Sequence, residues 1–374
     1  MRVGYGVTAL HAALRGGGID GIGSYTREFQ QRLAPRADIE LVPYEFHRDP
    51  RAVAEGTRPA GGFRSQALPA LFAGRQFAAT RRALTDVDLV HAPDHMIPRL
   101  RDVPVLATLM DAIPLARPDW VGYRFRGLKH RLWVRSAHWA DHVVTISEHA
   151  RDDIVKHFRL DPERVSVVPL GVDERWFAVP AAETRERVRE RHDLPPAYFL
   201  FIGTIQPRKN LEMLVRAFSA LPAALRRECP LLIAGRYGWC CPELRDRLEA
   251  DAIPDVRWLR HVPDADLPAL LHGARTLLFP SLYEGFGLPV LEAFAARVPV
   301  LAADATSIPE VAGDAALLID PYDRTAWSEA LAAVAAGNDS HLRAQVDRGH
   351  VRARAMTWDA AAERLAAIYG QISA

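Results

Sequence analysis

At 374 residues the chain is too long for one ordinary core and fits two domains of about 150 to 200 residues each. Its 49% hydrophobic and 25% charged residues and formal net charge of +1 describe a globular chain without the basic excess of a nucleic-acid binder, so nucleic acid is not an expected partner. Three cysteines, Cys229, Cys240 and Cys241, are too few for a disulfide framework, and no run approaches the ~18 apolar residues of a membrane span. The opening MRVGYGVTAL carries no basic segment followed by a long apolar one, so the cytoplasm is the expected compartment.

In chain order, residues 2–8 read as an apolar strand and 21–33 as a helix, joined through a loop rich in glycine. Gly16, Gly18 and Gly21 formally spell G-x-G-x-x-G, which raises a dinucleotide-dependent oxidoreductase. The first of these glycines lies several residues past the strand end, whereas that fingerprint begins at the strand-to-helix turn. Residues 39–42 read as a second strand, and 47–76 show no clear period and read as a long connection. Strands at 88–92 and 103–109 end in His91-Ala92-Pro93-Asp94-His95 and Met110-Asp111, polar groups at carboxyl ends of the kind that face a ligand in open α/β sheets. For His91 and His95 a satisfied structural histidine and a functional one remain equally open. A strand at 141–146, a helix capped by Ser147 and a strand at 165–168 complete the first half. The charged, proline-bearing stretch 174–196 joins the halves, so the first domain is expected at 1–178 with 357–374, and the second at 179–356.

The second half alternates strands, near 199–203, 231–234, 256–259, 276–279, 298–301 and 316–319, with helix-like segments, the pattern of a doubly wound parallel sheet. Its first turn, Gly203 to Asn210, sets Arg208 and Lys209 beside a helix N-terminus, which suits a diphosphate. Residues 279–301 place Glu284 in a loop and Glu292 in a short helix that starts at Leu288. Two carboxylates framing one loop repel each other as phosphate ligands, so hydroxyl groups, and hence sugars, suit them better. Taken alone, the spacing also fits two solvated glutamates.

The run Glu284-Gly285-Phe286-Gly287-Leu288-Pro289 through Glu292 resembles the E-x7-E signature of retaining glycosyltransferases of family 4. Gly21-Ile22-Gly23-Ser24-Tyr25, Pro169-Leu170-Gly171-Val172-Asp173 and the Gly203 to Asn210 turn resemble further segments of that family, and the resemblance spans nearly the whole chain. It implies an α/β fold of the GT-B kind: two facing Rossmann-like, doubly wound parallel-sheet domains, an active site in the cleft, and a C-terminal helix that crosses back to the first domain.

The resemblance implies that Glu284 contacts the donor sugar and Glu292 the nucleotide ribose. Gly285, Phe286, Gly287 and Leu288 then face sugar and diphosphate, Arg208 and Lys209 hold the diphosphate with Gly21, Gly23 and Gly203, and His261 and Val262 meet the base. Many relatives have His-Asp where this chain has Met110-Asp111; methionine does no acid, base or donor work, which leaves Asp111 as the polar candidate, with His91 and His95, for catalysis or the acceptor. The implied reaction is retaining transfer from a nucleotide diphosphate sugar to a saccharide or lipid-linked acceptor in surface-polysaccharide synthesis, with neither metal nor cofactor. GDP-mannose is favoured as donor by the Gly238-Trp239 and Ser307-Ile308-Pro309-Glu310-Val311 segments. A UDP-sugar transferase, a nucleotide-sugar 2-epimerase and a non-catalytic nucleotide-sugar-binding protein are the alternatives. Finally, residues 117–139 interleave Arg117, Arg124, Arg126, Lys129, Arg131 and Arg135 with Trp120, Tyr123, Phe125, Trp133 and Trp139, a composition that suits peripheral contact with an anionic inner-membrane surface and equally Trp133 and Trp139 packed in the first domain beside solvated arginines.

Overall fold

Short apolar runs bounded by turn residues form parallel strands, each needing a crossover to reach the next. In the computed structural model, which describes residues 1–15, 21–121, 126–338 and 340–373, thirteen such strands build two sheets. The first contains β1 (Arg2–Gly6), β2 (Glu40–Glu45), β3 (Arg58–Pro59), β4 (Leu89–Ala92), β5 (Val105–Thr108), β6 (His142–Thr145) and β7 (Val165–Val167). The second contains β8 (Phe199–Ile202), β9 (Leu231–Ala234), β10 (Val256–Arg260), β11 (Thr276–Phe279), β12 (Val300–Ala303) and β13 (Leu317–Ile319). Their orders are β3-β2-β1-β4-β5-β6-β7 and β10-β9-β8-β11-β12-β13, parallel throughout. Both are the doubly wound order.

The chain divides into two compact units, Met1–Leu170 with Trp358–Ala374, and Gly171–Thr357. Residues 171–178 group with the second unit because Val172 pairs with Thr357 and donates to the Met356 carbonyl at 3.0 Å, while the Trp176 carbonyl meets the His272 ring at 3.2 Å. The terminal helix Trp358–Ser373 joins the first unit through Trp358, Ala361, Ala362, Leu365, Ile368 and Tyr369, a buried stripe at helical spacing. The Trp358 ring stands edge-on to Phe29, with centroids 5.6 Å apart.

Two elements differ from the sequence reading. Thr8–Arg15 is a helix rather than the end of a strand and its loop. The aperiodic stretch 47–76 is not an open connection: it contains β3 and the helix Phe63–Ala73, whose Ala67 and Ala70 are buried against the first core. Alanines at that contact give little hydrophobic amplitude, and Pro69 inside the helix hides it further.

Candidate active site

In the second sheet the order reverses between β8 and β11, which are hydrogen-bonded neighbours although β9 and β10 intervene in the chain. Loops leaving the carboxyl ends of such a pair diverge to opposite sides and open a crevice suited to ligands. Here those loops carry Arg208 and Lys209 after β8, and Glu284 after β11.

The three side chains meet. Arg208 Nη1 donates to Glu284 Oε2 at 2.5 Å, and Lys209 Nζ donates to Glu284 Oε1 at 2.6 Å. Lys209 and Glu284 are buried and Arg208 is partly exposed. Burial would raise the Glu284 carboxyl, but Arg208 and Lys209 beside it hold it down to about 2. Burial lowers the Lys209 ammonium to about 8, and Arg208 pushes the same way against the opposing pull of Glu284. Lys209 also stands 4.9 Å from the centroid of the Phe279 ring. At neutral pH this cluster of two cations and one anion carries net positive charge, so an incoming anion competes with Glu284 for its partners.

Backbone contacts hold the two loops together. Leu282 N donates to the Arg208 carbonyl at 2.7 Å, and Arg208 Nη1 donates to the Tyr283 carbonyl at 3.2 Å. Asn210 caps the helix Leu211–Ser219 from a left-handed conformation, and its amide donates to the Pro321 carbonyl at 2.8 Å instead of capping through its side chain. Sequence reasoning missed two further supports. Thr306 Oγ1 accepts from Glu284 N at 3.0 Å, and Ser307 Oγ donates to the carbonyls of Glu284 and Phe286 at 2.9 and 2.8 Å. Their only sequence signal is a polar pair soon after an apolar strand.

Two glycines here have no substitute. Gly287, at φ 120°, turns the loop into the helix Leu288–Ala295, and a Cβ on Gly235 would lie 1.9 Å from the Gly203 carbonyl oxygen. Gly203 itself leaves β8 at φ 152° beside the Lys209 stem. Gly285 and Phe286 are buried and Leu288 is half-buried. His261 is exposed and Val262 buried just after β10. The side chain of Glu292, one helix turn beyond Leu288, makes no hydrogen bond or ion pair among the described residues. Burial pushes its carboxyl up to about 7, with Arg175 opposing and Asp173 and Asp264 adding to the shift.

The first unit treats its candidates differently. His91 is fully buried, with Nδ1 2.7 Å from the Tyr369 hydroxyl and Nε2 2.8 Å from Thr108 Oγ1. Thr108 in turn lies 2.9 Å from the Tyr25 hydroxyl. Burial lowers the His91 ring to about 3, so it is neutral, and neither nitrogen is left for an acceptor. His91 therefore ties the terminal helix to the sheet. His95 is half-buried, its ring 5.4 Å from Trp133; burial lowers its pKa while nearby Asp111 opposes the change. Asp111 also accepts from Ile113 N at 3.0 Å. Gly21 and Gly23 lie in the first turn of the helix Gly21–Leu33, whereas Gly16 and Gly18 fall outside the described residues. Within 117–139, Tyr123, Arg124 and Phe125 are also outside them. Trp120 is buried and Trp133 and Trp139 pack against the first core, so these three rings are engaged within the domain, while Arg126, Arg131 and Arg135 are exposed.

Comparison with known proteins agrees with this architecture. The family described as "Glycosyl transferases group 1" matches residues 182–348, and "Glycosyltransferase Family 4" matches residues 19–176. The Escherichia coli O-antigen chain mannosyltransferase B is 30% identical over 364 residues, covering 91% of this chain and 93% of that relative. A D-inositol 3-phosphate glycosyltransferase of Salinispora arenicola is 30% identical over 95% of this chain and 88% of its own. Among solved structures, sucrose-phosphate synthase from Thermosynechococcus elongatus superposes with a TM-score of 0.74 at 19% identity, over 99% of this chain and 98% of that one. Anabaena HepE, in complex with UDP and glucose, gives 0.75 at 14% identity, over 99% and 100%. The chain therefore belongs to the group 1, family 4 glycosyltransferases.

Proposed function

We propose that the protein transfers a sugar, with retention of configuration, from a nucleotide diphosphate donor to a saccharide or lipid-linked acceptor, and that GDP-mannose is the donor. The observation that carries this reading is the Arg208–Glu284–Lys209 cluster, with Glu284 and Lys209 buried, at the carboxyl ends of β8 and β11. The donor diphosphate takes Arg208 and Lys209 from Glu284, and the freed carboxylate accepts hydrogen bonds from sugar hydroxyls. As the bond between the anomeric carbon and the phosphate oxygen breaks, charge grows on the diphosphate against two fixed cations, which favours the transition state over the ground state. The acceptor oxygen bonds to the anomeric carbon from the same face, and its proton passes to the leaving phosphate oxygen. Glu292, balanced near neutrality, can either donate to or accept from a ribose hydroxyl. This scheme assigns charge neutralisation to Arg208 and Lys209, so no metal enters it.

Mannose is favoured by the E. coli relative, whose name specifies that sugar. A UDP-sugar is the second reading, because the Anabaena structure holds UDP. His95 and Asp111 are the proposed acceptor-side residues. The cations of the 117–139 segment keep an anionic membrane surface among the proposed partners, and flotation with vesicles of graded anionic content tests that contact. Thermal-shift screening with GDP-, UDP-, ADP- and dTDP-sugars, with and without EDTA, tests the donor, since a bound ligand stabilises by mass action. GDP-mannose should give the largest shift, unchanged by EDTA, and NMR of the product should show an α-linkage. Stabilisation by none of the four, or a β-linked product, would overturn the scheme. Release of an epimerised sugar without any acceptor would favour an epimerase instead.

A further inference from the structure

Two cavities of the first unit, about 560 and 350 Å³, share Arg64, Lys129 and Leu132 and run together between the helices Phe63–Ala73 and Arg126–Ala137. The wider one opens at the carboxyl edge of the sheet: Phe46 and Arg48 follow β2, Phe63 follows β3, and Met96 follows β4. Trp133, whose ring is tilted 33° against that of His95, forms part of its wall. The narrower one is lined by Ala67, Leu68, Leu71 and Leu128. Along its length the groove thus passes from aromatic rings and cations to aliphatic side chains.

Its charge is one-sided. The two helices hold Arg64, Arg126, Lys129, Arg131 and Arg135 and no acidic residue. Arg48 and Arg64 make no ion pair among the described residues and are exposed. Leu68, Phe72 and Leu128 are 43%, 67% and 44% exposed, a concentration of large apolar side chains at one place that marks an interaction site more often than chance exposure does. A purely apolar partner leaves the arginines without an anion. A free anion leaves the leucines in water.

We propose that this groove binds one anionic amphiphile, a long-chain lipid phosphate or diphosphate, with its phosphate between Arg48, Arg64 and Lys129 and its chain along Leu68, Leu71 and Leu128. The saccharide borne by that lipid would lie toward Trp133, His95 and Asp111; this last step rests on the glycosyl-transfer reading, whereas the lipid-phosphate site does not. The groove accordingly accounts for a face that is both basic and apolar.

The test is calorimetric titration of the full chain with farnesyl phosphate below its micelle concentration, with farnesol, inorganic phosphate and anionic phospholipid vesicles as parallel probes. Farnesyl phosphate should bind with saturation, at least about tenfold tighter than farnesol or inorganic phosphate, because only it satisfies both halves of the groove. Arg64→Glu and Leu68→Asp should each weaken it about tenfold or more, Arg64→Lys should restore most of the loss, and thermal stabilisation by GDP should be unchanged in all three. Absence of saturable farnesyl phosphate binding, or binding equal in Arg64→Glu and the parent, would overturn the proposal. So would binding confined to vesicles, which would make the face a headgroup surface, or a dimer broken by Leu68→Asp with no effect of lipid phosphate. If farnesyl phosphate binds as expected while no nucleotide sugar stabilises the chain, the groove stands and the transfer reading falls; the reverse result removes the groove alone.

Discussion

The two units repeat one strand order but use the polar residues at their sheet ends in opposite ways. In the first, Tyr25, Thr108, His91 and Tyr369 form a neutral chain of hydrogen bonds, buried and mutually satisfied, that fastens the terminal helix. In the second, Arg208, Lys209 and Glu284 form a charged cluster whose partners can be exchanged for a ligand's. A neutral network in a low dielectric rigidifies, and breaking it leaves an unsatisfied buried group. A charged cluster of uneven sign holds an unspent attraction for anions. The fold is common to both, so the difference in chemistry lies in the side chains at the switch point rather than in the topology.

Substitutions on each side should sharpen that contrast. The largest effect is expected for Glu284→Ala, which should abolish transfer by removing a charged hydrogen bond to the sugar, while nucleoside diphosphate still binds. Steady-state rates set beside equilibrium binding check this, and near-normal turnover would remove the role given to Glu284. Lys209→Ala and Arg208→Ala should each lower kcat by about 10²-fold, the usual scale for removing one preorganised charge-stabilising donor. A recovery of rate on adding Mg²⁺ to the parent after EDTA treatment would contradict the metal-free scheme.

Next in size is the pH response of donor binding. Lys209 titrates near 8 in this structure, and a diphosphate favours its charged form, so binding draws a proton onto it. Donor affinity should therefore be full below about pH 8 and decline as pH rises through that value. Lys209→Arg, which keeps its charge, should shift the decline to higher pH; a profile identical in both proteins would mean that Lys209 does not meet the diphosphate. Glu292→Ala should weaken nucleotide binding only about fivefold, near 1 kcal/mol, for one hydrogen bond to ribose. In the first unit, Tyr369→Phe should cost about 1 to 3 kcal/mol of stability in urea unfolding by leaving His91 Nδ1 buried and unpaired, without changing the shift produced by GDP. A loss of nucleotide binding in that variant would break the proposed division of labour.

Much of this was legible in the chain. Strands β8, β9, β11 and β12 are short apolar runs because the middle of a parallel sheet is covered on both faces, whereas the edge strand β10, Val256–Arg260, carries two arginines. The pairing of Arg208 and Lys209 with Glu284 was not legible, because about 75 residues separate the two loops and only the β8–β11 pairing brings them together. The same applies to His91: its partners Thr108 and Tyr369 are 17 and 278 residues away, so a structural histidine and a ligand-binding one look alike in sequence. The helix Phe63–Ala73 was hidden by an alanine contact face, and with it one wall of the basic groove. Thr306 and Ser307 act through the backbone of another loop, a contact that leaves no spacing to read.

The most direct test is calorimetric titration of GDP, in EDTA, into the parent chain, Glu284→Ala and Lys209→Ala. If the diphosphate takes its cations from the carboxylate, GDP should bind the parent, bind Glu284→Ala at least as tightly because the competing anion is gone, and bind Lys209→Ala at least about tenfold more weakly. Equal affinity in the parent and Lys209→Ala, or loss of binding in Glu284→Ala, would contradict the exchange on which the proposed reaction rests.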